Sequence, residues 1–212
     1  MVILYSHQKG GVGKSTLAIN HAYIKNYPIL DLDSQNSSIL FNKLREQISA
    51  PLLECFSVKD TDALKKLLHP YQKDVKQHII VDSGGYDSQI NRMALLLSDI
   101  IITPVGLSQI ELFGLQKFRK VLQQAKEHTG KNYISHALIN NVDSRAQSKI
   151  EEVKEYIKNN GEYFNLLDTI VHARANIKYA YGEGKTIDEF APNSKASTEI
   201  LNLTQEIEQK IS

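Results

Sequence analysis

The chain has 212 residues, 42% hydrophobic and 23% charged, an ordinary balance for a globular protein with a sizeable core. Its 25 Lys and Arg against 24 Asp and Glu leave a formal charge of +1, which excludes a bulk basic coat for nucleic acid but not a local basic patch. The lone cysteine, Cys55, excludes an intrachain disulfide framework and a cysteine-built metal or iron–sulfur cage, and 11 Gly with five Pro are too few for a disordered or fibrous chain.

The opening residues, Met-Val-Ile-Leu-Tyr-Ser-His-Gln, run straight into a glycine loop and read as a first strand rather than a signal peptide. Apolar runs stay far below the ~20 residues that span a bilayer, so a reducing cytoplasm is the expected location. Short runs rich in Ile, Val and Leu at 2–5, 29–32, 78–81, 99–103, 134–139 and 167–171 predict strands buried on both faces of a parallel sheet. Helical patterns fall between and after them, at 14–25, 38–47, 62–69, 89–97, 110–128, 145–159, 174–181 and 194–211. Asp60 and Thr61 are candidate N-caps for the third helix, and Gly130 and Gly161 stop the fifth and sixth. No composition shift marks a linker. The alternation predicts one α/β domain over residues 1–212, with a doubly wound, mostly parallel sheet and helices on both faces. Ligands then bind at the carboxyl ends of the strands.

The most informative segment is Lys9-Gly10-Gly11-Val12-Gly13-Lys14-Ser15-Thr16, which follows a predicted strand and opens a predicted helix. Glycines let successive backbone N–H groups point at phosphate oxygens, and the helix N-terminus adds a positive dipole end. Lys14 would neutralise the β- and γ-phosphates of ATP, and the Ser15 hydroxyl would ligate Mg2+. Downstream, His78-Ile79-Ile80-Val81-Asp82 is an apolar strand ending in an acid, the Walker B arrangement, with Asp82 holding Mg2+ directly or through water.

The loop departs from the strict phosphate-loop pattern. Gln8 stands where the first glycine belongs, and a second lysine, Lys9, directly precedes the glycine pair. This resembles the deviant Walker A motif of the ParA/MinD family of ATPases, and the resemblance implies the P-loop NTPase fold. It also implies that Lys9 reaches across a dimer to the partner's nucleotide. Asp31-Leu32-Asp33-Ser34-Gln35 resembles the family's Asp-x-Asp-Pro-Gln switch, which implies that Asp33 positions the attacking water and Asp31 lies in the metal's outer sphere. Ser34 replaces the proline, and only 16 residues separate Lys14 from Asp31, a short connection. The segment ALINNVDSR resembles a strand whose end reads the nucleotide base, through Asn140 or Asn141. The stretch from Thr169 to Asn176 resembles the family's Thr-x-Ile-x-x-Arg, so the likeness spans nearly the whole chain. It is nearest to the small ParA ATPases of plasmid partition, the ParF-like group without an N-terminal DNA-binding extension.

What this resemblance implies is a partition ATPase of the bacterial nucleoid. Two ATP-bound monomers close into a homodimer that binds DNA without sequence preference. A centromere-binding ParB-type partner stimulates hydrolysis, and the ADP form lets go. The residues from Thr169 to Gly182 carry Arg174 and Lys178 with no carboxylate, and Lys185 and Lys195 follow, so these four cations are the candidate DNA contacts. The same fold positioning another cargo, such as a microcompartment or a conjugation complex, is the alternative. A MinD-like membrane-recruited regulator is less consistent with the acidic tail, whose Ile200, Leu201, Leu203, Ile207 and Ile211 suit packing on the domain. A reductase on this scaffold needs bridging cysteines, and Cys55 lies away from the Asp82 loop.

Overall fold

A computed structural model describes residues 1–211. Seven parallel strands form one sheet: β1 (Val2–Tyr5), β2 (Ile29–Asp31), β3 (Cys55–Ser57), β4 (Ile79–Asp82), β5 (Ile100–Val105), β6 (Ser135–Val142) and β7 (Phe164–His172). Their spatial order is β3-β2-β4-β1-β5-β6-β7. The chain winds outward in one direction through β2 and β3, then crosses back and continues through β5 to β7. The direction reverses beside β1, and that is where a doubly wound sheet leaves a crevice at its carboxyl edge.

Side chains of β1 alternate between two cores, as the period of a strand requires. Val2 and Leu4 join the core that α3 (Thr61–Lys73), α4 (Gln89–Leu97), α5 (Gln109–Thr129) and α6 (Gln147–Asn159) cover. Ile3 and Tyr5 face α1 (Lys14–Lys25), α2 (Ser37–Gln47), α7 (Ala175–Gly182), α8 (Ile187–Phe190) and α9 (Lys195–Ile211). All four β1 side chains are fully buried, each contributing about 1.5–3 kcal/mol by leaving water. The fold is the predicted α/β sandwich, and the sheet is parallel throughout.

Local signals act where the residues suggest. Asp60 caps α3, its carboxylate accepting from the backbone N–H groups of Asp62 and Ala63 at 3.0 and 2.8 Å, while Thr61 is the first helical residue. Gly130 ends α5 in the left-handed region at φ 73°. At α6 the cap is Asn160, one residue before Gly161. The short link from α1 to β2 closes by Asn26 adopting φ 53°, which needs no longer loop. The apolar stripe of α9 is spent on the core, with Ile200, Leu203 and Ile207 buried. Two elements escape the sequence patterns: β3 is three residues at the sheet edge, two half-buried and one exposed, and α8 is a single turn. The last two strands also run longer than the apolar runs because their outer faces carry polar residues.

Among the described residues no helix is long and apolar enough to cross a membrane.

Candidate functional site

The register brings the candidate acids together before any side chain is considered. Tyr5 of β1 pairs with Asp82 of β4, and Asp82 pairs with Asp31 of β2. Three strand ends are therefore level, and the glycine loop leaves β1, next to the β4 end that carries Asp82. Gly11 and Gly13 hold φ at 78° and 94°, where a β-carbon is strained, and α1 starts at the next residue, Lys14. No side-chain cap occupies the α1 amino terminus, so its free N–H groups face outward and favour an anion.

Lys14 is 5% exposed, and its ammonium donates to the Lys9 carbonyl at 3.1 Å, folded inside the loop. Burial lowers its pKa, and Asp82 and Asp33 oppose that shift. Asp82 is fully buried. Its Oδ1 has no hydrogen-bond donor, and its Oδ2 receives a long contact of 3.4 Å from the Ser38 hydroxyl. Burial pushes its carboxyl up to about 7; the Ser15 hydroxyl and Lys14 oppose this, and Asp31 and Asp33 add to it. A buried carboxylate oxygen without a partner, beside a serine hydroxyl at an anion-binding helix end, fits a divalent cation or the water it carries.

Asp31 and Asp33 differ. Asp31 is buried and accepts from the backbone N–H groups of Asp33, Ser38 and Ile39 at 3.0, 2.9 and 3.4 Å. It therefore fastens the start of α2 to the strand end. Asp33 is half-buried on the rim of a 430 Å3 cavity that also touches Gly10, Lys14, Ser15 and Ser37. Its Oδ1 accepts from the Gln35 backbone N–H at 3.0 Å, which bends the segment and turns the carboxylate to the cavity rim.

A second cavity of 330 Å3 lies on the other side of the loop, between Thr16, Asn141, His172, Arg174, Ile177 and Lys178. Tyr181 lines both cavities, and its hydroxyl donates to the Ser37 carbonyl at 2.7 Å, tying α7 to the start of α2.

Residues 3–187 match the CobQ/CobB/MinD/ParA nucleotide-binding domain. The chain belongs to this family. A curated relative, the sporulation initiation inhibitor protein Soj of Bacillus subtilis, is 22% identical, with 97% of each chain covered. Among solved structures, McdA of Cyanothece in its apo form superposes with a TM-score of 0.74 at 15% identity, covering 97% of this chain and 98% of that one. A putative plasmid partition protein of Borrelia burgdorferi bound to AMPPNP gives 0.67 at 18% identity, covering 99% and 98%. These likenesses establish a ParA/MinD-family P-loop fold.

Within this ParA/MinD-family site, the two asparagines of β6 separate. Asn140 is buried, and its amide donates to the Val12 carbonyl at 2.7 Å, bracing the phosphate loop from below. Asn141 adopts φ 57° and turns outward into the second cavity. Both asparagines line that cavity, Asn140 buried and Asn141 exposed.

The cationic stretch is not free of acid in space. Glu199 of α9 accepts from Arg174 Nη2 at 2.5 Å, from the His172 ring at 2.8 Å and from the His172 backbone at 3.0 Å. Arg174 is thus a paired wall of the second cavity. Lys185 lies 3.4 Å from Glu183. Lys178 and Lys195 are exposed. Sequence reading counted only carboxylates within the segment, whereas α9 delivers one from 25 residues away.

Three further groups were not read from the sequence. His7, fully buried just before the loop, has no partner on either ring nitrogen; burial, with Lys14 and Lys9 nearby, pushes it down to about 3, so it stays neutral. Arg45 of α2 is also fully buried, and it binds Glu189 of α8 bidentately at 2.6 and 2.9 Å. It also donates to the Gly184 carbonyl at 3.0 Å, which locks the α7–α8 corner to α2. Glu111, at the start of α5, lies 3.8 Å from Lys9. A Ser-x-x-Glu capping box at Ser108 was the one local sign of it.

Proposed function

We propose that this chain is a ParA-like ATPase of DNA partition, working as a nucleotide-switched homodimer. The observation that carries the reading is the split between its two loop lysines. Lys14 is folded into its own loop, whereas Lys9 has a side chain 32% exposed, with its ammonium 3.8 Å from Glu111 of α5. A lysine so placed does not serve its own nucleotide and is available to the phosphates of a second copy.

In this reading the triphosphate lies along Gly10 to Thr16, and Lys14 leaves the Lys9 carbonyl to meet the β- and γ-phosphates. Ser15 and Asp82 hold Mg2+, which offsets phosphate charge during transfer. Asp33 orients the attacking water. The base and ribose occupy the second cavity against Asn141. The Asp31 carboxylate acts on the metal only through the α2 segment it fastens.

Hydrolysis then loosens the dimer, and a centromere-binding partner protein accelerates that step. DNA binding rests on cations that a dimer doubles, chiefly Lys178 and Lys195. Arg174 contributes through the cavity wall and Lys185 beside its Glu183 partner.

Filter binding of duplex DNA across a salt series, with ATP and with ADP, tests the reading. ATP should support binding without sequence preference, and ADP should not. Lys178→Glu should lower the logarithmic salt slope by up to about 1.8 per dimer, at ~0.9 per phosphate contact. Nucleotide-independent affinity, or a Lys178→Glu protein that loses nucleotide binding and keeps DNA binding, would overturn it.

A further inference from the structure

We propose that Glu111 is the holding site of Lys9: it retains the lysine on its own chain until the phosphates of a nucleotide bound to a second copy displace the carboxylate. This rests on the reading that Lys9 acts across a dimer, and it adds the residue that sets the threshold for that act.

The carboxylate is fixed in place before Lys9 arrives. Glu111 Oε2 accepts from the Ser108 hydroxyl at 2.7 Å and from the Ser108 backbone at 3.2 Å, closing the capping box of α5. It packs over Gly106, where an added β-carbon would lie 2.5 Å from Oε2. The other oxygen, Oε1, is the one that faces Lys9 Nζ at 3.8 Å.

The loop is fixed against the same helix. Gly114 sits one turn after Glu111, and a β-carbon there would come within 2.4 Å of His7 Cε1 and 3.3 Å of Lys9 Cβ. The helix backbone therefore abuts the base of the Lys9 side chain with nothing between. One turn of α5 supplies both the close approach for the stem and the counter-charge for the head. The same turn carries Ile110 and Phe113, 66% and 55% exposed, an apolar flank beside the lysine that a second copy can cover.

The energetics give the sign. In the monomer the pair is satisfied, while in a dimer each Lys9 moves to a phosphate and each Glu111 loses its cation. Dimerisation therefore works against two ion pairs. Partly exposed pairs of this kind bias the equilibrium by a factor of up to about five each. Removing the charge at Glu111 should tighten the dimer by about three- to twentyfold.

Sedimentation equilibrium with Mg2+ and a non-hydrolysable ATP analogue tests this on four chains. Glu111→Gln keeps a side chain able to complete the capping box, so the fold is retained, and it should dimerise at lower concentration than the parent. The gain should shrink as salt rises and vanish when Lys9→Ala is added. If Lys9→Ala abolishes the dimer but Glu111→Gln matches the parent, the holding role falls and the trans lysine stands. If Lys9→Ala dimerises like the parent, the trans reading falls and the holding role with it.

Discussion

Asp82 should make the nucleotide-free protein less stable than it would be without the charge. The buried carboxyl titrates near 7 in the folded chain, against 3.8 in an unfolded one. Between those values the folded state binds more protons than the unfolded state, so stability falls as pH rises through the window and then levels off. The span is about 3 pH units, and at about 1.4 kcal/mol per unit the ionised group costs up to ~4 kcal/mol above pH 7. Asp82→Asn removes the charge at nearly constant volume. In EDTA, urea unfolding from pH 4 to 8.5 should show the variant gaining on the parent across the window. Its advantage should approach a few kcal/mol at the alkaline end and be small at pH 4. The same variant should lose Mg2+-dependent nucleotide binding. A variant no more stable than the parent at pH 8, or an advantage that does not change with pH, would refute the claim that an unpartnered buried charge is stored here.

Two other substitutions separate roles that the sequence left merged. Asp33→Ala should cost under ~1 kcal/mol of stability, since it removes one bond within an exposed bend, yet lower ATP turnover about a hundredfold or more while retaining nucleotide affinity; steady-state phosphate release at near-normal rate would remove it from water positioning. Asn140→Ala should cost ~1–3 kcal/mol by leaving the buried Val12 carbonyl unsatisfied, and should weaken nucleotide binding without changing the preference for ATP over GTP; a urea midpoint unchanged from the parent, or a switched base preference in competition titration, would contradict the bracing role.

Much of this fold is written in local order. Strands that are buried on both faces need continuous runs of Ile, Val and Leu, and such runs survive in the sequence at β1, β4 and β5. The glycine loop is legible for the same kind of reason: left-handed backbone at Gly11 and Gly13 and a lysine at the helix start are requirements of a few consecutive residues. Acids at strand ends can be read because a parallel sheet places every carboxyl end on one edge, so Asp31 and Asp82 had to lie near the loop.

What tertiary structure alone decided is which charge meets which. Arg174 looked free because its own segment holds no acid, and α9 brings Glu199 to it. Arg45 and Glu189 are 144 residues apart in the chain and 2.6 Å apart in space. Asn140 and Asn141 are neighbours with the same chemistry that border one cavity, and only the strand's alternation at its end buries one against the loop and exposes the other. The edge strand β3 is too short and too exposed to leave an apolar run. Hydrophobic periodicity records a residue's distance from the core, a property it carries by itself. A salt bridge or a brace is a property of two residues, and nothing in the order of either segment records the other until the sheet has closed the distance between them.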